Sequence, residues 1–196
     1  VDTEAFFKKV RTYAEISEEA ERAWASLLQP RQYRKDESLV AAGEVPTRFA
    51  FVLEGLFFQH YVGPEGDMVI KYFFPEGRIA GSVSATLLGK PSQFTITAIE
   101  DCSVLEYDFA AFRSLTARFP DIAAFYIHYM ERHWIIEKEP VEIAFRHDSA
   151  MKRYRNFISS EPDLHRRLKQ HHIAAWLGIT PESLSRLRKA IALGVG

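Results

Sequence analysis

The stretch Gln170-His-His-Ile-Ala-Ala-Trp-Leu-Gly-Ile-Thr-Pro-Glu-Ser-Leu-Ser-Arg-Leu-Arg-Lys189 decides how the chain is read. Apolar residues fall at Ile173, Ala174 and Leu177, then again at Ile179, Leu184, Leu187 and Ile191, a spacing that predicts two amphipathic helices joined by a tight turn. Gly178 makes the turn, because a residue just past a helix end often needs a positive φ that only glycine adopts cheaply. Thr180 and Pro181 start the second helix. The Thr hydroxyl can accept from a free backbone N–H at the N-cap, and proline fits the first helical position, where no donor is needed. This is helix-turn-helix grammar.

The exposed face of the second helix carries Glu182, Ser185, Arg186 and Lys189, while Leu184, Leu187 and Ile191 are kept for packing. Such a face can read bases in double-stranded DNA. An arginine donates twice to guanine O6 and N7, a carboxylate accepts from cytosine N4, and a serine hydroxyl can contact any base. Glu182, Ser185 and Arg186 are the candidate base readers. Thr180, Ser183, Arg188, Lys189, Lys169 and His171 are the candidates for the phosphate backbone. An ordinary amphipathic helix pair would also show short polar residues on its outer face, so the motif needs support from elsewhere.

Charge supplies some of it. Residues 147–196 hold nine Lys and Arg against four Asp and Glu, a net +5, and residues 1–146 hold sixteen against twenty-two, a net −6. A basic end attracts phosphate and an acidic body is repelled by it. At 196 residues and 47% apolar content the chain is long enough for one large or two small domains with a core. No apolar run approaches the roughly 20 residues of a membrane span, and the charged start lacks the pattern of a signal peptide, so a cytoplasmic protein is expected. The single cysteine, Cys102, next to Val104 and Leu105, reads as a buried strand residue.

In chain order, residues 2–13 and 17–28 read as short helices, the second opened by Ser17 with Glu18 and Glu19 in its first turn. Pro30 ends that pattern. Short apolar or alternating stretches follow at 32–34, 38–41, 48–54, 57–62, 68–74, 94–98 and 103–107, punctuated by Gly and Pro, and predict a small antiparallel roll. Asp108 is placed to cap a helix through Phe109, Phe112 and Leu115. Residues 121–138 then carry two apolar stripes, one of Ile122, Phe125, Tyr129 and Ile136 and one of Tyr126, Met130 and Trp134. Two stripes need two partners, here the roll and the same helix of a second subunit, or else both lie within one subunit. Pro140 falls within the continuing helical pattern and is the candidate hinge.

A glycine-punctuated roll, a long helix and a C-terminal helix-turn-helix, in that order, resemble the CRP/FNR family of bacterial transcription regulators. The most specific residues are Leu177-Gly-Ile-Thr-Pro-Glu-Ser-Leu-Ser-Arg186, whose Glu-x-x-Ser-Arg core is similar to the recognition helix of the FNR branch. The resemblance implies an α+β chain: an antiparallel, cyclic-nucleotide-binding-like β-roll with N-terminal helices (residues 1–119), a long dimerisation helix and hinge (120–147), and a winged-helix-like helix-turn-helix domain (148–196). It implies a homodimer on a palindromic TTGA-like site, with RNA polymerase as a further partner. Where many members continue into a two-stranded wing, only residues 192–196 remain.

The roll of this family often binds a cyclic nucleotide through a Gly-Glu-Leu segment and a later Arg-Ser or Arg-Thr pair. The matching positions here are Gly81-Ser82-Val83 and Ser92-Gln93, so both anchors differ. Without arginine a buried cyclic phosphate would lack charge-assisted hydrogen bonds, a cost of several kcal/mol. Lys90 or Arg78 could substitute, but cAMP dependence is not expected, and a different small-molecule effector or none remains open. Nor is a resident cofactor expected: an iron-sulfur cluster needs several cysteines, and the one histidine of the roll, His60, sits on an alternating strand at a position that reads as solvent-facing. A cupin-like enzyme would need clustered His and Glu ligands, which are not seen, and neither catalytic nor metal-binding residues are assigned. A ligand-binding module whose helical tail docks a protein is the remaining alternative.

Overall fold

The computed structural model describes residues 3–193. Two short helices open it, α1 (Glu4–Val10) and α2 (Glu18–Ala25). Ser17 caps α2 by accepting from the Ala20 N–H, and Glu18, Glu19 and Glu21 lie in its first turn, where the helix dipole favours them. Eight strands follow: β1 (Gln29–Tyr33), β2 (Ser38–Val40), β3 (Arg48–Glu54), β4 (Phe57–Val62), β5 (Met68–Phe74), β6 (Ile79–Ala80), β7 (Thr95–Ala98) and β8 (Cys102–Asp108), with α3 (Val83–Leu88) between β6 and β7. They form two four-stranded antiparallel sheets, ordered β1-β8-β3-β6 and β2-β7-β4-β5, around a core that includes Val52, Phe57, Phe74, Ile96 and Val104.

Strands β3, β4 and β5 have the bounds predicted from their short apolar stretches between glycines and prolines. Pro30 does not stop the chain before the first strand but lies inside β1, opposite Leu105. Because β1 is an edge strand, proline's missing donor breaks no ladder bond there. Both β6 and α3 go unread in the sequence, since two and six residues are too few to show a period.

Asp108 caps α4 (Phe109–Arg118) through the Ala111 N–H at 2.8 Å, and α5 (Pro120–Met130) begins on its proline. The helix expected to run on to residue 138 is interrupted: Glu131–Ile136 is a π-helical segment, followed by α6 (Lys138–His147). A π turn inserts an extra residue and rotates all that follows about the axis. The expected stripe is therefore split. Ile122, Phe125 and Tyr129 are buried within the subunit, whereas Ile136 is 65% exposed, so of these four only Ile136 is free to meet another chain. Pro140 is the third residue of α6, and the helix continues through it to His147.

Ser149 caps α7 (Ala150–Ser160); α8 (Pro162–Arg167), α9 (Gln170–Leu177) and α10 (Pro181–Ala192) follow. Of residues 192–196, which stand where many members carry a wing, residues 194–196 lie outside the described residues. No helix among the described residues is long and apolar enough to cross a membrane.

A second apolar cluster joins the roll to the C-terminal helices, with Leu56, Phe58, Ile70 and Phe73 on one side and Ile173 and Leu177 among those on the other. Register explains it. Phe58 pairs with Phe73 but His60 pairs with Ile70, so a bulge opposite Gln59 and His60 brings Ile70 to the Phe73 face and diverts Lys71 to Phe94 and Trp134.

Candidate nucleic-acid interface

The turn has the geometry its residues require. Gly178 sits at φ +67°, and Thr180, in extended backbone, accepts from the Ser183 N–H at 3.2 Å. A side chain at Gly178 would face the left-handed penalty, so Gly178→Ala is expected to lower the stability of this unit by about 1–2 kcal/mol. Urea unfolding followed by Trp176 fluorescence measures it. Leu177 and Leu184 are fully buried between α9 and α10. A residue without a sequence signal also holds the unit together: Arg153 of α7 donates to the Asp148 carbonyl at 2.6 Å and to the Leu177 carbonyl at 2.9 Å, tying the end of α6 to the end of α9.

Glu182, Ser185, Arg186, Arg188 and Lys189 are all exposed on α10, and Thr180, Lys169 and His171 are exposed on the flanks. Backbone N–H groups at the helix start and the Thr180 hydroxyl hold the Glu182 carboxyl below its ordinary pKa, leaving an anionic acceptor for an amino group. Ser183, expected at phosphate, is half-buried and engaged: its hydroxyl accepts from Arg186 Nη2 at 3.0 Å and from Thr180 at 3.2 Å. That contact orients Arg186 beside Glu182 and Ser185, so a fork donor, a carboxylate and a hydroxyl share one solvent-facing surface.

Two histidines are buried where the roll meets α9. His60, expected to face solvent, is buried, and so is His172 beside the exposed His171; each is 8% exposed, because α9 packs on the β4–β5 face. Arg167 of α8 fastens the same contact, donating to both Glu76 oxygens at 2.9 Å and also to Glu100.

In the roll, Ser82 and Ser92 are buried and adjacent, their hydroxyls 2.9 Å apart, although ten residues separate them. Ser92 also bonds the backbone of Phe94 in both directions, at 2.7 and 3.1 Å. Gly81 is pressed on Phe49, 2.5 Å from where a Cβ would stand. Val83 is half-buried, and Gln93 and Lys90 are exposed. Arg78, the other candidate substitute for the missing anchor, is paired with Glu137 at 2.7 Å and with His133.

Residues 30–119 match the cyclic nucleotide-binding domain family. Among curated protein sequences there is no significant match. Solved structures match over most of the chain. FixK2 from Bradyrhizobium japonicum is 19% identical, with 85% of this chain and 86% of that one covered and a TM-score of 0.71. CLP from Xanthomonas campestris, described as a c-di-GMP responsive global regulator, is 14% identical over 91% and 93%, at 0.72. A protein of Eubacterium rectale assigned to the CRP/FNR regulators is 15% identical over 91% and 85%, at 0.66. The fold is that of the CRP/FNR regulators. In this CRP/FNR fold the cyclic nucleotide-binding domain is the roll, and the helix-turn-helix unit follows the long helical run.

Proposed function

We propose that this chain is a homodimeric, sequence-specific transcription regulator that places each α10 in the major groove of one half of a palindromic, TTGA-like site, and that it does so without cAMP. The observation that carries this reading is the outer face of α10, where Glu182, Ser185 and Arg186 are exposed together on a helix whose cap and turn are both formed. The half-sites then lie about one helical turn, roughly 34 Å, apart. Dimerisation is supported by Ile127, Ile135, Ile136 and Ile143, all more than half exposed along α5, the π segment and α6. Independence from cAMP is supported by the Ser82–Ser92 pair, two neutral hydroxyls bonded to each other where a ribose acceptor and a phosphate-binding arginine would be needed. Reorientation of the DNA-binding unit about the segment near Pro140 completes the proposal.

Fluorescence anisotropy against a TTGA-type palindrome and a scrambled duplex, over a salt series with no effector, tests the whole reading. A preference of at least ~10³-fold for the palindrome supports it, and equal binding of both duplexes overturns it. Arg186→Ala is expected to cost about 1–3 kcal/mol at one base position and relax discrimination there, whereas Lys189→Ala weakens every duplex alike. Equal small effects of both changes on all duplexes would favour a tail that docks a protein.

A further inference from the structure

The contact between the roll and α9 contains two buried histidines on one aromatic ring. His60 of β4 stacks on Phe58 with ring centroids 4.5 Å apart, and His172 of α9 lies 5.2 Å from the same ring. Each is only 8% exposed, and the Nδ1 atom of each is buried with no hydrogen-bond partner. Ile70, Phe73 and Ile173 belong to the same apolar cluster. A site of this kind accepts neutral imidazole. It resists imidazolium, because a desolvated cation without an acceptor is costly.

We propose that this face is a pH-sensitive latch between the roll and the helix-turn-helix unit, closed while His60 and His172 are neutral and opened by their protonation. Asp36, in the turn before β2, favours the charged form of His172, while His171 of α9, Lys169 at its N-cap and His60 itself oppose it. Burial outweighs all of them, lowering His60 and bringing His172 to about 4. The sign follows. A histidine whose pKa is depressed in the closed form favours closure above its free value of 6.5 and opposes closure as pH falls toward 4. For His172 alone the open-to-closed ratio rises about 30-fold between pH 7.5 and pH 5. Arg167, held by Glu76 and Glu100, is the part of the latch that does not titrate over this range.

The closed form also opposes DNA. It neutralises Arg167 and holds the acidic roll against the helix that crosses the DNA backbone in helix-turn-helix complexes. Opening is therefore expected to raise DNA affinity. That consequence rests on the function proposed above; the latch does not.

Energy transfer between dyes at Glu65→Cys, on the exposed turn between β4 and β5, and Asn156→Cys, on the exposed face of α7, reads the latch in the full chain. Cys102 is 1% exposed and stays unlabelled. Doubly labelled protein is used as a trace in unlabelled protein. Transfer should be constant above pH 7 and change with a midpoint between 6.5 and 4, His172→Phe, which leaves only His60 to titrate at the contact, should move that midpoint to lower pH, and Arg167→Gln should move it upward. Constant transfer down to pH 5 overturns the proposal, as does an unchanged transition in His172→Phe. Where that variant does not fold, His60→Phe gives the same test from the roll side. A transition without any gain in affinity for the palindrome would count against the DNA-binding function and leave the latch standing.

Discussion

Trp24→Ala is expected to lower the unfolding free energy by about 3–5 kcal/mol, the range for removing a large aromatic from a closed core. Trp24 has no exposed surface and packs against Phe6, Phe112 and Phe125, each at 5.0 Å between centroids. One side chain thus joins α1, α2, α4 and α5. The contrast with Trp24→Phe isolates the cause. The indole Nε1 is buried without an acceptor, so phenylalanine keeps a ring in the site and removes an orphan donor worth about 1–3 kcal/mol, offsetting part of the lost volume. Chemical denaturation of the three proteins measures both effects, and a Phe variant as unstable as the Ala variant would show that shape, not the orphan donor, sets the cost.

The second large effect is on assembly. Ile135→Asp combined with Ile143→Asp should leave the roll folded, because both positions lie outside the buried clusters and are 51% and 64% exposed. A carboxylate buried without a partner between two helices costs several kcal/mol. The variant should therefore sediment as a monomer. Losing the linked second half-site should then weaken binding to the palindrome by ~10²-fold or more, since linkage of two modules multiplies affinity by 10²–10⁴. A variant that stays dimeric with unchanged circular dichroism would move the interface elsewhere.

The candidate site divides by range. Gly178, Thr180 and Pro181 state their roles in the sequence because a left-handed turn, an N-cap and a first helical position are local conformations with few residue solutions. For the same reason the short apolar stretches bounded by Gly and Pro became β3, β4 and β5 at their expected bounds. The exposure of Glu182, Ser185 and Arg186 follows from a 3.6-residue period. Ser183 shows the limit of that reasoning, since period alone does not reveal that its hydroxyl is taken by Arg186.

By itself the sequence determined the order of roll, long helix and helix-turn-helix, the ends of β3, β4 and β5, and the face of α10 left to solvent. All of these depend on contacts a few residues apart. Only the tertiary structure decided that Ser82 and Ser92 close on each other, that a π segment takes Ile136 away from Ile122, Phe125 and Tyr129, and that a bulge in β5 prepares a face for α9. His60 and His172 are the clearest case: His60 occupies a strand position that reads as exposed, nothing local marks His172, and the burial of both came from the meeting of the two halves of the molecule. Pairwise contacts across more than a hundred residues leave no periodic trace in either segment, so the packing that buries these imidazoles exists only once the roll and the C-terminal helices meet.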